Sequence, residues 1–177
     1  MEKDSKIMGF FLKFKLDALA WSFRRLHCPV DDKSLVLEVG SGGNPYFRAN
    51  VLIDAYMETR ERHYTKLVTD RPTVLGYVES LPFKDNSFDF VIASHVLEHS
   101  KDPEKFLSEI QRVSKAGYIE VPDAFFERLA TYLDHRLEIT DIDGELLIRK
   151  KKNYIQDQEI YKLVRNKVSP IFGKIVS

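Results

Sequence analysis

The chain has 177 residues, 44% hydrophobic and 31% charged, with 27 basic side chains against 27 acidic ones. That composition suits one globular domain with a single core, and zero net charge removes any chain-wide electrostatic pull toward nucleic acid. The one cysteine, Cys28, can neither close an internal disulfide nor complete a cysteine-rich zinc site, so a reducing, cytoplasmic setting is expected.

From Ile7 to Leu26 the chain is aromatic and basic, but Lys13, Lys15 and Asp17 interrupt the apolar run. The stretch is too charged to span a membrane and lacks the small-residue cleavage site of a secretory signal. Phe10, Phe14, Ala18, Trp21 and Leu26 recur at roughly helical spacing, so segment 1–33 reads as an amphipathic helical region. It either packs on the domain, the commoner use of such a helix, or lies on a membrane surface with Lys13, Lys15, Arg24 and Arg25 at the head groups.

Strand signals then recur. Ser34 to Val39 is a short apolar run, and Val51 to Asp54, Thr73 to Val78, Phe88 to Ser94 and Gly117 to Val121 repeat it. Between the last two, Asp102 caps a helix with Pro103 at its first position and Phe106, Leu107, Ile110 and Val113 on one face. Strands alternating with helical or turn segments argue for an α/β, doubly wound sheet with right-handed crossovers. Arg136 to Thr140 and Glu145 to Lys150 flank Asp143-Gly144, a strong hairpin signal. The expected sheet is therefore mixed, with about seven strands ending in an antiparallel hairpin. The main domain is expected over 34–155, followed by a basic helical tail over 156–177.

The segment Leu37-Glu38-Val39-Gly40-Ser41-Gly42-Gly43-Asn44-Pro45 places glycines where a buried strand leaves the sheet. Ligands of doubly wound sheets bind there, and glycine lets backbone approach them closely. Asp54 ends the second strand, where a carboxylate can accept both hydroxyl protons of a ribose. A nicotinamide enzyme would use the same acid, so the two features together indicate a nucleoside-containing cofactor.

Three stretches carry a more specific resemblance: Val36 to Gly43; Glu79-Ser80-Leu81-Pro82-Phe83-Lys84-Asp85-Asn86-Ser87-Phe88-Asp89; and His95-Val96-Leu97-Glu98-His99, with Asp102-Pro103 and Glu109 to Val113 after it. Over residues 34 to 123 the chain resembles class I S-adenosylmethionine-dependent methyltransferases of the type 11 kind. The resemblance implies a Rossmann-like fold and S-adenosylmethionine as cofactor. It implies that Glu38 lies near the methionine ammonium, and that Gly40, Ser41 and Gly42 form the cofactor loop. Asp54 would hold the ribose, Val78 and Leu81 flank the adenine, Glu79 or the Val78 backbone meet its amino group, and Ser94 and His95 border the methyl. Two departures stand out. Tyr77 occupies a position where the family commonly has an acid, and Asn44 to Asn50 are too few for the usual crossover helix, so a turn is expected there.

His95 is the candidate base, with His99 second and His135 a candidate for the acceptor pocket. His95 to His99 also fits H-x-x-E-H, a zinc-protease pattern that needs a sustained helix. A strand before His95 and Ser100 to Pro103 after it deny that helix, so no metal is expected. Asp85 and Asp89 suit local turn bonding, and Glu109 with Arg112 a surface pair. Met57 to Asp70 is either a lid over the pocket or a plain connection. The expected function is methyl transfer from S-adenosylmethionine to a small-molecule or glycan acceptor. The alternatives are a cofactor-binding module without transfer, and a peripheral membrane enzyme acting on a lipid-linked acceptor.

Overall fold

The computed structural model describes residues 10, 13–14, 28–60, 64–129, 131–152 and 157–163. Most of the expected N-terminal amphipathic helix and most of the basic tail lie outside the described residues. The chain forms two units, of which the larger comprises Val30–Ala124 and Leu133–Lys152 and holds both sheets. In the other, helix Gln158–Leu163 buries none of its residues. Among the described residues no helix is long and apolar enough to cross a membrane.

Five parallel strands, β1 (Val36–Val39), β2 (Val51–Asp54), β3 (Thr73–Leu75), β4 (Phe90–Ser94) and β5 (Gly117–Glu120), run in the order β3-β2-β1-β4-β5. β1 and β4 are buried along their whole length, as continuous apolar runs require in a sheet covered on both faces. Leu37 sits opposite Val51 on one side and Val91 on the other, which fixes the central register. Strand order reverses between β1 and β4, and at such a switch point the carboxyl ends of the strands open a crevice.

Helix α1 (Pro103–Val113) begins as its sequence predicts: Asp102 Oδ1 accepts the Lys105 amide at 3.0 Å, and proline occupies the first turn. Phe106, Ile110 and Val113 carry it into the core with Leu37, Val91 and Leu97. Its last turn is tied to the Leu81–Asp85 turn. Arg112 donates to the carbonyls of Leu81 and Phe83 at 3.0 and 2.8 Å and to Asp85 Oδ1 at 2.8 Å, while Glu109 Oε2 accepts the Leu81 amide at 2.7 Å. The Glu109–Arg112 pair expected on the surface forms at 2.7 Å, and it also fastens two segments distant in sequence.

The connection from β1 to β2 contains no helix, and side chains satisfy its backbone instead. Arg71 Nη1 donates to the carbonyls of Tyr46 and Ala49 at 3.0 and 2.9 Å, while Asn50 Oδ1, at the end of the connection, accepts the β1 amide of Val36 at 2.8 Å. Glu38 Oε2 accepts the Tyr46 amide at 2.5 Å. Buried or half-buried backbone groups must find partners, and these supply them.

The final hairpin is β6 (Leu137–Ile142) and β7 (Glu145–Lys150), turned by Asp143 and Gly144 at φ 55° and 83°. Two positive φ values in succession match the right-handed twist of the flanking strands. Where a single mixed sheet of seven strands was expected, the hairpin stands as a separate two-stranded sheet, joined to the segment after β5 by one bridge between Asp123 and Ile139. β6 buries Leu137, Glu138 and Ile139, whereas β7 buries none of its residues and so has no apolar face to draw it into the larger sheet. The third strand is also shorter than expected, giving way to a 3-10 turn at Val78–Ser80.

The Arg112 hydrogen bond holds the Glu109 carboxyl below its ordinary range; burial opposes this and the Leu81 amide reinforces it. A depressed carboxyl contributes stability above its unfolded value, about 4.3, and loses that contribution as pH falls through the folded value. In urea unfolding at neutral pH, Glu109→Gln should therefore be less stable than the natural chain by about 1–3 kcal/mol, and the two should converge in acid. Equal stability at neutral pH would contradict this role.

Candidate active site at the carboxyl ends of the parallel strands

The first strand leaves the sheet through Gly40 and Gly42, at φ 62° and 59°. Gly40 N donates to Ile53 O at 2.7 Å, pinning the turn to the end of β2. A Cβ on Gly40 would stand 2.3 Å from Val96 Cγ2, so the strand exit and the segment after β4 approach within a distance only glycine permits. Asp54, buried at the end of β2, accepts the Gly42 amide at 3.0 Å through Oδ2 and the Tyr56 amide at 3.1 Å through Oδ1. Ser41 Oγ is buried with no hydrogen-bond partner among the described residues. Glu38 is buried beneath the same turn with its carboxylate on the Tyr46 amide. Glu38, Gly40, Ser41, Gly42 and Asp54 are thus brought together around one turn.

The segment beyond β2 closes one side. Val68 N donates to Gly42 O at 3.0 Å, and a Cβ on Gly43 would meet Thr65 Cγ2 at 2.6 Å. Part of Met57 to Asp70 therefore lies directly on the glycine turn. Val78 and Leu81 are buried, and Glu79 Oε1 accepts a hydrogen bond from Ser100 Oγ at 2.6 Å. Tyr77, in the place where an acid was anticipated, is exposed; its ring meets Tyr56 edge-on at 5.9 Å and the two hydroxyls are 3.2 Å apart.

At the end of β4, Ser94 Oγ donates to Glu120 Oε2 at 3.2 Å and His95 N to Glu120 O at 2.8 Å. His95 has φ 56°, an uncommon conformation for a residue with a side chain and one that clusters at functional sites. Its imidazole is 35% exposed, and Nδ1 lies 3.4 Å from Oε1 of the fully buried Glu98. The segment Leu97–His99 makes one 3-10 turn, so His95 and His99 do not share a sustained helix. Sequence reasoning assigned no site role to Glu98 or Glu120. The available signals were an acid three residues after His95 and an acid ending an otherwise apolar strand.

This arrangement combines a buried carboxylate and backbone amides beside a close-approach turn, with Val78 and Leu81 buried in the adjoining core. Residues 37–119 match the family model described as a methyltransferase domain. Over those residues the chain is similar to methyltransferase domains. The demethylmenaquinone methyltransferase of Geobacillus stearothermophilus is 32% identical over 145 residues, 75% of this chain and 59% of that protein. The uncharacterized protein YafE of Escherichia coli is 38% identical over 66 residues, 37% of this chain and 30% of that one. A SAM-dependent methyltransferase from Thermotoga maritima superposes with a TM-score of 0.42 at 22% identity, over 63% of this chain and 57% of that one. The chain thus spans less than two thirds of the length of each of these proteins.

Within the matched residues, the Gly40–Val96 contact is the tightest constraint on the site. Gly40→Ala should cost at least about 1–3 kcal/mol of stability from φ strain and overlap. Adding Val96→Ala should recover part of that loss through relief of the overlap, measured as urea midpoints of the three proteins. A Gly40→Ala chain as stable as the natural one would show that the two segments do not meet as described.

Proposed function

We propose that the chain binds S-adenosylmethionine at the carboxyl ends of β1, β2 and β4 and transfers its methyl group to a small-molecule or glycan acceptor in the cytoplasm. One observation carries the reading: a buried carboxylate, Asp54, held by two backbone amides against a glycine turn in which a Cβ on Gly40 would overlap Val96. The buried, unpartnered Ser41 Oγ fits the same reading, as a polar atom awaiting a ligand.

When bound, the cofactor supplies an electrophilic methyl together with its own leaving group, so the protein's work is positioning and exclusion of water. Asp54 would take the ribose hydroxyls on its carboxylate oxygens, which act only as acceptors when ionised. Gly40 and Gly42 admit the cofactor to backbone distance, and Ser41 Oγ offers a hydrogen bond. Glu38 places negative charge beneath the turn for the ammonium group. Val78 and Leu81 form apolar walls for the base, with Glu79 beside them for its amino group. Ser94 and His95 border the transferable methyl. For a hydroxyl acceptor, His95 takes the departing proton on its exposed imidazole.

Calorimetry with S-adenosylmethionine should give a dissociation constant in the micromolar range. Asp54→Asn, which keeps the shape but removes the charge, should weaken binding by at least about tenfold, the loss of one charge-assisted hydrogen bond. No binding by the folded natural chain would defeat the proposal. For catalysis, His95→Gln should lower kcat by about a hundredfold or more on a hydroxyl acceptor while leaving the cofactor dissociation constant within about twofold. Cofactor binding without any product across small-molecule and glycan acceptors would favour a binding module over an enzyme.

A further inference from the structure

We propose that Glu98, His99 and His135 form a binding site for a divalent transition metal of the zinc class. One carboxylate oxygen and one ring nitrogen from each histidine lie within 4.8 Å of one another. Ligands of a tetrahedral zinc with bonds of about 2.1 Å stand roughly 3.4 Å apart, so side-chain movements of about an ångström close the set.

The fold, not the local sequence, makes this juxtaposition. Arg136 N donates to Glu98 O at 2.8 Å, fastening the approach to β6 onto the 3-10 turn after β4. His135 is thereby carried against His99, and their rings meet edge-on at 4.8 Å. His99 Nδ1 lies 3.2 Å from the Asp134 carbonyl. A carbonyl only accepts, so Nδ1 carries the proton and Nε2 the lone pair. A ring nitrogen fixed by a backbone carbonyl is the usual outer support of a metal-ligating histidine.

An independent observation comes from Glu98. It is 2% exposed, and neither carboxylate oxygen has a hydrogen-bond partner among the described residues. The His95 Nδ1 contact at 3.4 Å engages one oxygen only in part. A carboxylate removed from water without donors is strongly unfavourable, and a bound cation offsets that cost. Two imidazoles with one carboxylate select a transition metal over calcium or magnesium, which favour all-oxygen sets. Both histidines are half-exposed, which gives an ion a way in, and three protein ligands leave a fourth position open to water.

This set differs from the H-x-x-E-H pattern, which needs His95 and His99 on one helix. Here His95 is replaced by His135, contributed from the approach to β6. The site stands on its own geometry and does not depend on methyl transfer.

The test uses the full chain, stripped with EDTA and titrated with cobalt(II), then zinc(II). The expected result is one equivalent of cobalt(II) with the visible absorption of a four-coordinate site, bleached when zinc displaces it. Zinc should also raise the thermal midpoint. His135→Asn, at a half-exposed position, and Glu98→Gln should each weaken cobalt binding by about tenfold or more, with folding checked by circular dichroism. His135→Asn keeps the test decisive if Glu98→Gln fails to fold. Absence of stoichiometric binding, or binding unchanged in His135→Asn, would overturn the proposal.

Discussion

The close approach of the β1 exit to Val96, made possible by the missing side chain of Gly40, is the contact on which the rest of the site depends. A Cβ there would overlap Val96 Cγ2 at 2.3 Å, and the backbone already has φ 62°. Because β1 and β4 are neighbours at the point where strand order reverses, their two exits diverge to either side of a crevice. The glycine contact keeps those exits at their closest. Asp54 and the glycine turn stand at the ends of β1 and β2, Ser94 and His95 at the end of β4. In the proposed function, the cofactor bridges that pair of exits.

A second constraint follows from the short first crossover. Without a helix, the backbone between β1 and β2 lacks an internal ladder; Arg71 and Glu38 take over hydrogen bonds of that backbone, and Asn50 ties its end to the Val36 amide of β1. This explains how a buried acid can stand beneath the glycine turn. Glu38 accepts the Tyr46 amide and Asp54 the amides of Gly42 and Tyr56, so backbone donors satisfy both carboxyl groups. Glu38 thus both holds the short crossover and stands beside the turn. Arg112 does comparable work across the molecule, joining the end of α1 to the Leu81–Asp85 turn, whose Leu81 is part of the core.

Much of this was legible in the residues. β2 and β7 run over the expected residues, and the other strands differ by a few residues at their ends, because buried runs bounded by glycine or turn residues signal themselves locally. The Asp102 cap and the Asp143-Gly144 turn are equally local, each set by the backbone preferences of one or two residues. The glycine loop and Asp54 were legible for the same reason, since their spacing along β1 and β2 fixes where they emerge. Less legible was the independence of the hairpin. Alternation and turn chemistry identify a hairpin but say nothing about which edge it joins, and the exposed β7 strand leaves no buried face to decide it.

The sequence by itself determined the class of fold, the position of the glycine turn and the acid that follows it, and the family model that residues 37–119 match. These depend on periodicity and on short motifs whose meaning is carried by neighbours in the chain. Only the tertiary structure decided that Glu98 is buried without hydrogen-bond partners among the described residues, that Glu120 grips Ser94 and His95, and that His135 comes to lie against His99. Each of these depends on a contact between segments far apart in sequence. Such contacts are set by how strands and turns pack, and no local pattern encodes them.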